Sequence, residues 1–333
     1  MIIQKSKKFL ALILVSSCLF ALATFTGFAT SGEVTFKLAH ILAPDHPFSK
    51  GMVRLAEKVK EKSKGKFIIN IYDSGTLGSE KDIADGIVNG IVDMGFIGPG
   101  ELGKRFKPIQ VLEAPFVFRD MEHMVKVTSG PIGKSLWTKM AKETGIRALY
   151  APYYGTRYVT TAKVAAKTPA EMKGIKLRTP DMPLYVAVTK AMGASPTPMA
   201  LSEVYLALQQ GVVDGQENPI PTIYSQKFYE VQKYIILTGH ILSVTPIVVS
   251  DKKLQSLPAN LRKILIDSVN EVGPTINSEI LAKEQSLIEE FKKSGMIVVQ
   301  PDVNAFRKAA ASVVAEFENI WGKGLYDKIQ AVK

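Results

Sequence analysis

Residues 66–97, KFIINIYDSGTLGSEKDIADGIVNGIVDMGFI, hold a strand, a turn, a helix and a second strand in succession. Phe67 to Tyr72 is a short, mostly apolar run, as expected of a strand covered on both faces. Asp73-Ser74-Gly75 ends it, because these residues supply turn geometry and local side-chain hydrogen bonds. Glu80 to Asn89 reads as a helix and Ile91 to Ile97 as the next strand. Upstream, Val34 to Ala39 is another strand, followed by the turn-rich Ala43-Pro44-Asp45-His46-Pro47. A helix from about Phe48 to Ser63 then carries Val53, Ala56, Val59 and Lys60 at helical spacing. This βαβαβ rhythm predicts an α/β fold with a largely parallel, two-sided sheet. Such sheets bind ligands at the carboxyl ends of their strands, where the strand order reverses.

Downstream, a second α/β block begins near Gly155. It contains a short strand at Lys176-Leu177-Arg178 and a helix from Pro183 to Met192. Next comes Glu203 to Pro219, EVYLALQQGVVDGQENP. It reads as an amphipathic helix, a stop at Gly211, the apolar step Val212-Val213 and a polar cluster, Asp214-Gly215-Gln216-Glu217-Asn218-Pro219. Two readings fit the cluster. It is a loop in which Asn218 caps a helix that Pro219 begins, or a set of polar groups held on rigid element ends towards a ligand. From Pro258 to Ser294 a long helical stretch places Leu261, Leu265, Val272, Ile276, Ile280 and Leu287 near one face. Gly273-Pro274 should kink it. A helix this long exceeds the needs of one domain and could brace two.

The N-terminus reads as an export signal. Lys5, Lys7 and Lys8 precede an apolar stretch from Phe9 to Phe28, and Gly27-Phe28-Ala29 offers a cleavage site after Ala29. An uncleaved anchor and lipidation at Cys18, in Val15-Ser16-Ser17-Cys18, are the alternatives. Cys18 is the sole cysteine, so a processed, exported chain has no disulfide and depends on its core. Its length suits two domains. The formal net charge is +11. The lysines alternate with glutamates, as in Glu57-Lys58-Val59-Lys60-Glu61-Lys62, which is the pattern of solvated helix faces. No basic run is interleaved with aromatics, which argues against nucleic acid as a partner.

Catalytic signatures do not occur: there is no nucleophile elbow, zinc-helix motif, P-loop or dinucleotide fingerprint. An enzyme acting on a small acid would need a positioned acid, base or nucleophile. His40, His46, His123 and His240 are too dispersed to suggest a metal site by spacing alone, so no metal or cofactor is expected. Arginines are more informative. Arg157 lies in Gly155-Thr156-Arg157, and Arg178 ends a strand just before Pro180, where a guanidinium can grip a carboxylate with two parallel hydrogen bonds.

Several of these segments occur together in one known family. Gly193-Ala194-Ser195-Pro196-Thr197-Pro198-Met199 followed by Glu203 to Pro219 resembles the signature of TRAP-transporter solute-binding proteins of the DctP type. So do Leu38-Ala39-His40 with Asp45-His46-Pro47, Tyr72 to Glu80, Val92-Asp93-Met94-Gly95, Glu113-Ala114-Pro115-Phe116 and Lys173 to Pro180. The landmarks stand in family order across nearly all of the chain beyond the signal. The resemblance implies a type II periplasmic-binding-protein fold: two discontinuous lobes, 30–154 with 244–283 and 155–243 with 284–333, and a long bridging helix at about 258–294. It implies a monomeric periplasmic receptor that closes over an organic acid and delivers it to membrane permease subunits; a ligand-sensing receptor partner would share the fold.

By the same resemblance Arg178 pairs with the ligand carboxylate, Asn218 supports it and Arg157 adds polar contacts. His40, Glu80 and Asp181 are further candidate ligand contacts, with Glu217, His240 and Gln216 behind them. The wording at Lys227 to Lys233 and at His240 is similar to the sialic-acid-binding branch. Gly98, Glu101, Asp181 and Leu201 depart from that branch. Glu80, Glu101 and Asp181, if they face the pocket, suit a hydroxylated or amine-bearing tail better than a second carboxylate.

Overall fold

The computed structural model describes residues 33–333, so the expected export signal and Cys18 lie outside the described residues. Val34–Ala39 (β1) pairs in parallel with Phe67–Tyr72 (β2) on one side and Met94–Phe96 (β3) on the other. The helix between β1 and β2, Pro47–Lys62, starts where His46 Nδ1 accepts the Phe48 N–H at 3.1 Å, with Pro47 in the first turn, where a proline costs no hydrogen bond. The helix between β2 and β3 is Glu80–Asn89, as expected. Ser79 and Asp82 form a reciprocal cap at its start, and Gly90 ends it in the left-handed conformation, φ 78°. That ending shortens β3 relative to the expected Ile91–Ile97. The Ile91 and Val92 N–H groups bond back to the Gly86 carbonyl and are withdrawn from the ladder.

The sheets are mixed, which corrects the largely parallel expectation. The first has the order β2-β1-β3-β10-β4, where β4 is Ile146–Tyr150 and β10 is Ile247–Ser250. Only β10 runs against its neighbours. The second has the order β11-β9-β5-β8-β6-β7. Its strands are Tyr153–Thr161 (β5), Lys176–Thr179 (β6), Ser195–Pro198 (β7), Gly215–Pro219 (β8), Tyr234–Val244 (β9) and Ile297–Val299 (β11). Here only β5 opposes its neighbours. Both reversed strands have one origin. The chain leaves the first sheet after β4, crosses at residues 151–152 and enters the second as β5; it returns at 245–246 from β9 into β10. The crossings lie side by side, with Tyr153 opposite Val244.

The helix Ala259–Lys293 runs through Pro274 and packs against β4, β5 and the helix Pro47–Lys62. At about 1.5 Å per residue it spans roughly 50 Å. Glu284 ties it to the crossing. Its carboxylate accepts the Thr156 N–H at 2.6 Å and the Tyr153 hydroxyl at 2.7 Å. Asn277 accepts the Tyr153 N–H at 2.8 Å. Buried aromatic and branched side chains form one continuous core, and residues Val34–Lys333 make one compact unit.

Most of the polar run at 214–219 is strand, and the helix that follows begins one residue later than expected, with Pro219 rather than Asn218 as its cap. Gly215–Pro219 is an interior strand, buried at every residue, with Pro219 at the cap position of the helix Ile220–Ser225. Its backbone is satisfied by β5 on one side and β6 on the other, which is what permits so polar a run to lie inside.

Candidate ligand-binding site

A cavity of about 480 Å³ opens where the ends of the strands from both sheets meet. Arg157, Arg178, Asn218, Tyr154 and Tyr185 reach it from the second sheet and its helices; Glu80, Glu101, Glu113 and Gly98 reach it from the first.

The two arginines differ in their partners. Arg157 is neutralised inside the protein. Its Nε and Nη2 meet Glu217 Oε2 and Oε1 at 2.5 and 2.8 Å. Nη2 also donates to the Glu217 carbonyl at 2.8 Å and to Asn218 Oδ1 at 3.2 Å. The guanidinium lies 4.9 Å from the centre of the Tyr185 ring. His240 Nε2 stands 3.1 Å from Glu217 Oε2, with its Nδ1 held by Thr238 Oγ1 at 2.8 Å. Asn218 Nδ2 donates to Gln216 Oε1 at 2.6 Å, and Gln216 Nε2 to Thr160 Oγ1 at 2.9 Å. One buried network therefore fixes the wall. Burial opposes the charge on both partners, but Glu217 more than restores Arg157, and Arg157 with His240 brings Glu217 down to about 2.

Arg178 has no such partner. Only 3% exposed, it donates from Nε and Nη2 to a single acceptor, the Met199 carbonyl, at 3.1 and 2.7 Å. No carboxylate of the described residues forms an ion pair with it. Burial lowers its pKa to about 10, with Arg157 adding to the effect and Glu217 compensating only in part. A buried guanidinium without a counter-ion, facing a cavity, has the chemistry to receive an anion.

Tyr154 has a set polarity. His46 Nδ1 accepts a backbone N–H, so its proton sits on Nε2, 3.3 Å from Thr222 Oγ1. Burial holds that ring neutral, with a pKa of about 3. Thr222 in turn donates to the Tyr154 oxygen at 2.8 Å. The Tyr154 proton is thereby left to donate into the cavity.

Across the cavity the acids behave differently from one another. Glu101, 2% exposed, is paired with Lys104 at 2.9 Å and Arg105 at 3.2 Å. Glu113 accepts the Gly100 N–H at 2.7 Å and lies beside the Tyr185 hydroxyl. Glu80 accepts the Gly98 N–H at 3.3 Å. Neither Glu80 nor Glu113 has a basic ion-pair partner among the described residues. Desolvation first, then the Glu113 charge, raises Glu80 to about 7; desolvation raises Glu113 to about 7 against the pull of Arg157.

Of the residues singled out from sequence, Arg178, Arg157, Asn218, Glu80 and Asp181 line the cavity, Asp181 at its exposed rim. Glu217, Gln216 and His240 stand behind it. His40 is not brought to the wall. It is buried at the end of β1, Nδ1 accepting the Leu42 N–H at 3.3 Å, and desolvation lowers it to about 4. Glu113, Tyr154, Tyr185 and Thr245 also line the cavity without having been assigned roles. Glu113 belongs to a segment that carried the family resemblance, and Tyr154 precedes Gly155-Thr156-Arg157; these were the available signals.

Comparisons with known proteins identify the family and the fold. The family model DctP, bacterial extracellular solute-binding protein, family 7, matches residues 38–320. The sialic acid-binding periplasmic protein SiaP of Vibrio cholerae is 34% identical over 278 residues, covering 84% of this chain and 86% of that one. A TRAP periplasmic solute binding protein from Polaromonas sp. JS666, bound to D-erythronate, superposes with a TM-score of 0.86 at 32% identity, covering 90% of this chain and 99% of that one. Another, from Sulfurospirillum deleyianum with bound succinate, gives 0.86 at 26% identity over 91% and 100%. The mixed two-sheet architecture is that of type II binding proteins.

Proposed function

The chain belongs to the DctP family of bacterial extracellular solute-binding proteins, and we propose that it is the periplasmic receptor of a TRAP transporter, capturing an organic acid through Arg178 and handing it to the membrane permease. The observation that carries this reading is the contrast between the arginines: Arg157 is spent on Glu217, whereas Arg178 is buried at the cavity with only a carbonyl partner. The related structures hold D-erythronate and succinate, four-carbon acids that differ in their tails and share a carboxylate end. Arg178 is the group suited to such an end, and Tyr154 supplies a neutral donor beside it.

Two lobes, 30–154 with 244–283 and 155–243 with 284–333, would close over the ligand by bending at the paired crossings. A ligand held from both sides stabilises the closed form, which the permease recognises. A panel of hydroxy acids, sugar acids, sialate and dicarboxylates, screened by thermal shift, identifies acids that bind. Arg178→Ala should weaken the best of them by about 2–5 kcal/mol, measured by calorimetry. Retained affinity within about tenfold of the wild type, or less than 1.4 kcal/mol, rejects the clamp. Recovery of chemically unchanged ligand separates a receptor from an enzyme.

A further inference from the structure

We propose that Glu80 and Glu113 form an acceptor subsite opposite Arg178 that selects a monocarboxylate bearing hydrogen-bond donors along its tail, and rejects a second carboxylate. This rests on the organic-acid reading above and names the class of acid.

Both carboxylates converge on Gly98. Glu80 Oε1 takes the Gly98 N–H at 3.3 Å, and a Cβ on Gly98 would lie 3.3 Å from Glu113 Oε1. The Gly98 and Gly100 N–H groups are already committed to these two acids. Of the lysines in the lining, Lys104 is held by the buried Glu101 at 2.9 Å, and Lys81 points to solvent, where it pairs with Asp85 at 2.8 Å. A second ligand carboxylate would meet two like charges with no unpaired cation beside them among the described residues, so its desolvation would go uncompensated. Ligand hydroxyls, by contrast, would find two carboxylates with unused lone pairs. Arg178, only 3% exposed and without a carboxylate partner, sets the opposite polarity at the other end. The cavity therefore presents donors at one end and acceptors at the other.

The test pairs ligands of equal chain length. Galactonate carries a carboxylate and five hydroxyls; galactarate carries a carboxylate at both ends. The same pairing is made for four-carbon acids with erythronate and succinate. Affinities are measured at pH 8, above the value of about 7 that burial imposes on both acids. The expected result is that, in whichever pair binds, the hydroxylated monocarboxylate is at least tenfold tighter than its dicarboxylate. Glu80→Gln and Glu113→Gln should each reduce that ratio by at least fivefold. A role confined to folding would weaken both ligands alike and leave the ratio unchanged. A wild-type ratio below tenfold, or a ratio that neither substitution moves, overturns the subsite while leaving the organic-acid reading intact. Binding of no acid in either pair overturns the acceptor subsite; binding of no acid in the wider panel overturns the organic-acid reading as well.

Discussion

Glu217 is the residue on which the arrangement of the second wall depends. Its carboxylate, 1% exposed, meets Arg157 and His240 together, so its removal strands a buried guanidinium. Breaking a buried pair from one side costs about 3–5 kcal/mol. Glu217→Gln should therefore lower unfolding free energy in urea by that amount; a loss under about 1 kcal/mol would show that the pair does not hold the wall. The different duties of the arginines could not be read from sequence. Arg157 and Arg178 both belong to α/β segments with plausible carboxylate-binding positions. What separates them is register: the β5–β8 pairing puts Val159 opposite Glu217 and Arg157 opposite Pro219, so Arg157 reaches the acid along its own strand pair. Arg178, on β6 beside Gln216, meets a neutral neighbour. Glu113 went unassigned for a related reason. Its nearness to Glu80 arises through Gly98 and Gly100, at the start of the short helix Pro99–Leu102, a single turn that sequence periodicity does not place.

At the scale of elements, the strand-helix-strand order of the N-terminal half was readable because apolar runs and turn residues alternate there without conflict. The strand Gly215–Pro219 was not, because a glycine, three polar residues and a proline contradict ordinary strand preferences. Only burial between β5 and β6 makes those residues a strand. The crossing strand β5 shows how narrowly that neighbourhood is fitted. Gly155 sits at its bulge with φ 123°, and a Cβ there would come within 2.6 Å of the Pro219 side chain and 3.0 Å of Glu284 Oε1. Two independent penalties coincide, a backbone conformation that disfavours side chains and a collision with a packed proline. Gly155→Ala should destabilise by about 2 kcal/mol or more, seen as a lower urea midpoint; an unchanged midpoint would refute the packing argument.

Over the whole molecule, stability against pH is set by buried groups of opposite sense. Desolvation lowers His46 and His40 to about 3 and 4, so their contribution is full above about 6.5 and is lost as pH falls through those values. Desolvation raises Glu80, Glu113 and Glu284 to about 7, so theirs is full below about 4.5 and is lost as pH rises through 7. The two sets oppose each other in mildly acidic solution, and around neutrality, above the ordinary histidine range, the carboxylates decide. Glu284 isolates one of these contributions, because it fastens the long helix to the crossing strand and does not line the cavity. A carboxyl moved from 4.5 to about 7 loses about 2–3 kcal/mol of stability between pH 5 and 8. Glu284→Gln removes that titration whatever its effect on absolute stability. The wild type should therefore lose about 2–3 kcal/mol more than the variant over this range, measured by urea unfolding at each pH. Parallel profiles would mean that Glu284 stays ionised in the folded protein, and that the helix is held to the crossing by a charged carboxylate.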